Sequence, residues 1–264
     1  MKLCFSTLGC FEKSLDDIIS VAQKYYIPAV ELRGLGGKID NTEIGAFSED
    51  MTDDTLTQFQ KSGIIPTVLG TSCSFHNADR YERAVAEGKA SVKIAKRLNI
   101  PNVRVFGDRS LPGSNERITD ALLQLCSISD KTSVLLEVHG DFNTAEALAP
   151  ILERMSDTSN FGLIWDIEHT HKTYGEKWDV FYRSARPFVK HVHIKDFSDS
   201  ANRLTLIGDG DIQISRIADR LLSDGYDGYF SLEWEKKWHP ELPEFEDTLC
   251  SFINVMNGVD NNGR

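Results

Sequence analysis

Short apolar runs with strand character recur along this chain, each parted from the next by an amphipathic stretch long enough for a helix. That repetition limits the folds open to it more than any other feature. The runs lie at 2–7, 29–33, 64–69, 102–106, 133–138, 161–165, 189–194 and 228–233. Between them, segments such as SLDDIISVAQKYY, ADRYERAVAEGKASVKIAKRL and SRIADRLLSDG space their apolar residues helically, and several open on Ser, Asp or Asn able to cap a helix. Eight strand–helix alternations predict a closed parallel α/β structure, a single-domain (β/α)8 barrel. An open doubly wound sheet needs a glycine-rich phosphate turn after its first strand, and STLGCFEKS has none. The 264 residues, 41% of them hydrophobic, suffice for one such core. The domain is expected over 1–256, followed by a polar, fraying tail at 257–264.

A formal charge of −11 argues against binding nucleic acid, because the field repels phosphate backbones. Five scattered cysteines without C-x-x-C spacing read as reduced thiols, which points to the cytoplasm. The N-terminal MKLCFSTLGCFEKS reads as a first strand, its apolar part too short for a membrane span or a secretory signal.

All seven histidines fall near the carboxyl ends of predicted strands: His76, His139, His169, His171, His191, His193 and His239. In a barrel of this type, that is the face where loops converge to form active sites. Strand alternation turns Glu137 with His139, His191 with His193 and Lys195, Glu31 with Arg33, and Glu233 with Glu235 toward the interior. An unpaired inward carboxylate is costly, so each of these needs a cation or donors. Glu137, Asp166, His193 and Glu233 reach one mouth and can surround one divalent ion. Oxygen-rich ligation favours Mn²⁺, Mg²⁺ or Co²⁺, with Zn²⁺ also possible. A purely structural reading instead pairs these carboxylates with Arg33, Arg104 and Lys195.

The segments LLEVHG, WDIEHTH, HVHIKD and GYFSLEWEKKWHPE, in that order, make the chain resemble the xylose isomerase-like TIM barrel superfamily, specifically its sugar phosphate isomerase/epimerase-type members. The resemblance spans nearly the whole chain. It implies Glu137, Asp166, His193 and Glu233 as metal ligands and His169 as a substrate contact. Two features depart from the epimerases of free ketoses. HGDFN lacks their further glutamate after the fifth strand, and only Arg203, on a loop folded back, can stand for their arginine after the seventh. The DNA-repair branch needs a D-x-H that SANRLTLIGDGD lacks.

The expected reaction is isomerisation or epimerisation of a sugar or sugar-like hydroxy-ketone, by proton transfer through a metal-stabilised enediolate. Glu137 and Glu233 are the candidate acid and base, and His169, Lys195, His139, Arg104 and Glu31 the candidate substrate contacts. A salt bridge to Asp196 or another neighbour is the bland alternative for Lys195. The same chemistry run as elimination gives a dehydratase of an inosose or dehydroshikimate-like ring. A carbohydrate-binding barrel without turnover is the non-enzyme reading. Trp165, Trp234 and Trp238 are candidates to stack on a sugar, although an aromatic in such a place is more often core or loop packing, and Asp211 is a candidate to cap the seventh helix. Expected partners are a small sugar- or polyol-derived molecule and, in some assemblies, further copies of the chain; nucleic acid and membranes are not expected.

Overall fold

The computed structural model describes residues 1–262. Eight parallel strands close into a barrel: β1 (Lys2–Ser6), β2 (Ala29–Leu32), β3 (Ile65–Ser74), β4 (Asn102–Phe106), β5 (Ser133–Glu137), β6 (Phe161–Asp166), β7 (Val189–Ile194) and β10 (Tyr229–Leu232). Their order around the barrel is β1-β10-β7-β6-β5-β4-β3-β2. A short antiparallel hairpin, β8 (Asp196–Ser198) with β9 (Arg203–Thr205), is inserted after β7. The helices are α1 (Leu15–Lys24), α2 (Thr52–Ser62), α3 (Tyr81–Arg97), α4 (Ser114–Ser129), α5 (Ala145–Met155), α6 (Ile167–Tyr174), α7 (Trp178–Ala185), α8 (Ile214–Ser223) and α9 (Phe245–Asn262). Two of them, α6 and α7, share the connection from β6 to β7.

Alternation separates two cores. Leu136, Leu163, Trp165, Val192, Ile194, Phe230 and Leu232 face outward and join one continuous apolar layer with the helices. Val68, Leu135 and Ile164 form a separate small cluster. Each lies two residues before Gly70, Glu137 or Asp166, so this cluster plugs the barrel beneath the polar upper layer.

Three details differ from the sequence reading. β3 runs on past Leu69 to Ser74, because Gly70 does not end the strand. Gly70 instead makes room: a Cβ there would lie 2.7 Å from Arg33 Cδ and 3.0 Å from Arg104 Nη2. Asp211 does not cap α8, whose N-cap is Gln213 without a side-chain bond; its carboxylate accepts the Asp199 N–H at 2.7 Å. The α9 backbone continues to Asn262, beyond the boundary drawn at 256, with Val259 buried. Residues 263–264 of the expected tail lie outside the described residues. Among the described residues, no helix is long and apolar enough to cross a membrane.

Candidate metal centre at the barrel mouth

Four strands deliver one cluster. The pairing register sets Asp166 beside His193, and Glu233 follows directly after Leu232, whose partner is Ile194. Glu137, Asp166, His193 and Glu233 each offer a ligand atom, all within 4.8 Å of one another, and all four residues are buried. Asp166 divides its oxygens. Oδ1 caps α6 by accepting the N–H of Glu168 at 2.9 Å and of His169 at 3.4 Å, which leaves Oδ2 turned toward the cluster. The abrupt change in WDIEHTH from apolar strand to ionisable residues is thus a strand end that is also a helix cap.

His193 donates its Nε2–H to Glu31 Oε2 at 2.9 Å. Its Nδ1 lies 3.2 Å from Glu233 Oε2 and is buried without a hydrogen-bond partner. A buried, orphaned imidazole nitrogen among three carboxylates is the donor set a hard or borderline divalent ion requires, so the residues fit a metal.

The charges around the cluster are arranged in pairs. Glu137 Oε2 accepts from Arg104 Nη1 at 2.6 Å. Lys195 Nζ lies 2.7 Å from Asp166 Oδ2, 2.7 Å from Glu233 Oε2 and 2.6 Å from Glu235 Oε1. Burial disfavours charge on Lys195, but Asp166, Glu233 and Glu235 outweigh it and hold its pKa well above the usual lysine value. Burial likewise opposes ionisation of Glu233, yet His193 and Lys195 keep that carboxyl well below its ordinary range. For His193, the carboxylates of Glu233, Glu31 and Glu137 overcome burial and raise the pKa well above 6.5. Glu137 is raised, chiefly by burial, with Arg104 pulling the other way.

A cleft of about 400 Å³ is lined by residues that include His139, Glu168, His169, Lys172, Arg203 and Glu235; none of the four cluster residues lines it, and it meets the cluster through Glu235, 2.6 Å from Lys195 Nζ, and His169, whose Nε2 lies 4.0 Å from Asp166 Oδ2. His169 and His139 face each other with ring centroids 4.2 Å apart. Burial is the main cause that pushes His169 down to about 4, so its imidazole is neutral near pH 7. The hairpin brings Arg203 to this wall, which is the folded-back loop the sequence reading required. A larger cleft, about 630 Å³, is lined by Gly9, Cys10, Lys13, Lys237 and neighbours and shares no lining residue with the first.

The structure redistributes several expected roles. Glu31 and Arg104 are 0% and 2% exposed and do not line the cleft. They hold His193 and Glu137 from within the barrel. Lys195 pairs with three glutamate and aspartate carboxylates rather than with Asp196, whose side chain accepts backbone N–H groups from Phe197, Gly208, Gly210 and Ile212. Trp165 packs on Tyr182 among the outer helices, and Trp234 is fully buried with its Nε1–H given to Pro243 O. Neither can stack on a ligand at the mouth, and Trp238 alone of the three is exposed.

Two residues at the site had no role assigned to them from the sequence. Asp108 adopts φ +70°, locked because its carbonyl accepts the Asp141 N–H at 2.7 Å, and it sits 3.8 Å from His139 Nδ1. A Cβ on Gly140 would come within 2.2 Å of that carbonyl, so only glycine fits opposite. Glu168 is buried, with Lys172 as its ion-pair partner.

Sequence comparison places residues 21–250 on the profile described as xylose isomerase-like TIM barrel, and the chain belongs to that family. No curated protein matches it in sequence. Among solved structures, it is similar to an IOLI protein with a bound zinc atom, at 20% identity and TM-score 0.79, covering 100% of this chain and 99% of that one. A D-tagatose 3-epimerase-like protein is 18% identical with TM-score 0.77, covering 100% of both chains. The probable 3-DHS dehydratase AsbF from Bacillus anthracis is 17% identical with TM-score 0.74, covering 89% of this chain and 93% of that one.

Proposed function

We propose that this chain is a divalent-metal-dependent isomerase or epimerase of a sugar or sugar-like hydroxy-ketone. The observation that carries this reading is the convergence of Glu137, Asp166, His193 and Glu233 within 4.8 Å, with a cleft large enough for a monosaccharide reached through Glu235 and His169. Three carboxylates and one imidazole favour Mn²⁺, Mg²⁺ or Co²⁺, and the zinc in the IOLI structure keeps Zn²⁺ in view. When bound, the ion supplies Lewis-acid polarisation of the hydroxy-ketone.

The chain's own groups do the rest. Glu137 commits Oε2 to Arg104, and Glu233 commits Oε2 to Lys195. In each, the oxygen that the ion leaves free would take or return the proton. Transfer from one face of the carbon gives 1,2-isomerisation, and transfer from two faces gives epimerisation. Neutral His169 and half-exposed His139 orient substrate oxygens from the cleft wall. Lys195, held charged, sets the field beside the reacting carbon. Loss of a β-hydroxyl after the same proton abstraction gives a dehydratase, and the likeness to a probable 3-DHS dehydratase supports that second reading. The free cysteines fit a role in cytoplasmic carbohydrate metabolism.

Incubation with Mn²⁺ and a panel of ketoses and inososes in D₂O tests the proposal. Deuterium entering at the carbon next to the carbonyl is the expected result, abolished in Glu137→Gln and Glu233→Gln. Binding without exchange under every metal tried identifies a carbohydrate-binding barrel instead. Full activity in either variant removes that glutamate from proton transfer.

A further inference from the structure

The geometry points to Glu31 as a positioning residue for the metal centre: one of its carboxylate oxygens holds the Nε2–H of both His191 and His193, turning the Nδ1 lone pair of His193 into the Glu137–Asp166–Glu233 cluster. The inference rests on the metal centre of the proposed function.

Glu31 stands on β2 and the two histidines on β7, with β1 and β10 between them in the sheet, so the contact spans the barrel interior. Glu31 Oε2 accepts from His193 Nε2 at 2.9 Å, from His191 Nε2 at 3.1 Å and from Ser231 Oγ at 3.3 Å. Glu31, His193 and Ser231 are 0% exposed and His191 is 1% exposed, so water does not compete for these bonds. Glu31 Oε1 is buried and takes no hydrogen bond. The carboxylate is therefore turned to serve the two imidazoles rather than to share its donors evenly, at the cost of one unsatisfied oxygen.

The two rings lie nearly perpendicular, at 86° with centroids 5.6 Å apart, and so approach the same oxygen from different directions. That arrangement restrains Glu31 from swinging and His193 from flipping. In its neutral, metal-binding form an imidazole that gives Nε2–H to an acceptor has its lone pair on Nδ1, and a carboxylate acceptor makes that nitrogen a stronger ligand.

Glu31, His191 and His193 also bring three ligand atoms within 4.8 Å of one another. They are not a second ion site in this account. An ion there would displace the protons that both imidazoles give to Glu31, and His193 would then have to bridge two cations as an anion. One histidine, shared through its two nitrogens, instead links a carboxylate below to a metal cluster above.

The test uses the full chain with ¹⁵N-labelled histidine and Zn²⁺, a diamagnetic probe. Two-bond ¹H–¹⁵N correlation spectra of the zinc-loaded wild type are expected to show His193 and His191 protonated at Nε2, with the zinc-induced shift on His193 Nδ1. A proton on Nδ1, or zinc on Nε2, overturns the inference without any substitution that could impair folding. Calorimetric Zn²⁺ titration then compares variants whose folding is checked by circular dichroism. Glu31→Met is expected to weaken binding about 10–100-fold, and Glu31→Gln, which keeps a neutral acceptor, to weaken it less. Unchanged affinity in a folded Glu31→Met variant overturns the role of Glu31 alone. Absence of zinc binding in the wild type overturns the metal centre on which it rests.

Discussion

Replacing Lys195 with methionine removes the ammonium that holds Asp166, Glu233 and Glu235 together. Its Nζ makes contacts of 2.7, 2.7 and 2.6 Å to these residues, and Lys195 is 1% exposed. Breaking one partner out of a buried ion network strands the remaining charges and costs roughly 3–5 kcal/mol. For a chain of this length, each kcal/mol moves the melting temperature by about 2–4 °C, so metal-free Lys195→Met is expected to melt about 10 °C below the wild type. Asp166 and Glu233 are also candidate metal ligands, so a divalent ion restores the missing positive charge. Mn²⁺ at 100 times its dissociation constant stabilises by about 2.7 kcal/mol through binding alone. The variant is therefore expected to gain more from Mn²⁺ than the wild type does. Differential scanning calorimetry with EDTA and with saturating Mn²⁺ gives the four temperatures needed. A metal-free variant melting within about 2 °C of the wild type refutes the view of Lys195 as the cation of this network. Equal metal-induced shifts refute the overlap between its partners and the metal ligands.

Two further predictions concern the surroundings of the site. Asp196→Ala removes the acceptor of four backbone N–H groups, three of which tie the 208–212 loop to the hairpin, and a loss of about 3 kcal/mol is expected in urea denaturation. An unchanged midpoint contradicts that role. His169 is pushed down to about 4 from 6.5, mainly by burial, so below pH 6.5 the unfolded chain takes up a proton that the folded one refuses. Its contribution to stability is complete above about pH 6.5 and falls by roughly 3 kcal/mol as the pH drops to 4. In His169→Gln, the loss of stability between those pH values shrinks by that amount, and identical pH profiles would rule out the depressed imidazole.

The barrel and its inward residues were legible in the sequence because the two-residue period of a strand carries over directly into which side chain faces inside. LLEVHG, WDIEHTH and HVHIKD each ended a predicted strand, and the structure puts Glu137, Asp166 and His193 together on the interior. Pairings across the barrel were not legible. Glu31 was read as inward-facing, but its partners lie 160 and 162 residues away, and no local pattern encodes that distance. Arg104 and Glu137 stand 33 residues apart on neighbouring strands, and their pairing depends on register. The positive φ of Asp108 follows from a tertiary contact with Asp141 and Gly140, and its own residue type does not announce it. For the tryptophans the sequence left stacking and packing both open, because an aromatic near a strand end faces the mouth or the helices according to a single step of alternation.

The shared ion at the barrel mouth is tested most directly by equilibrium dialysis of the EDTA-treated chain against Mn²⁺, with the bound metal counted by elemental analysis. One ion per chain is expected for the wild type and a fraction of that for His193→Ala under the same conditions. No bound ion at saturating Mn²⁺, or undiminished binding in a folded His193→Ala variant, contradicts the account.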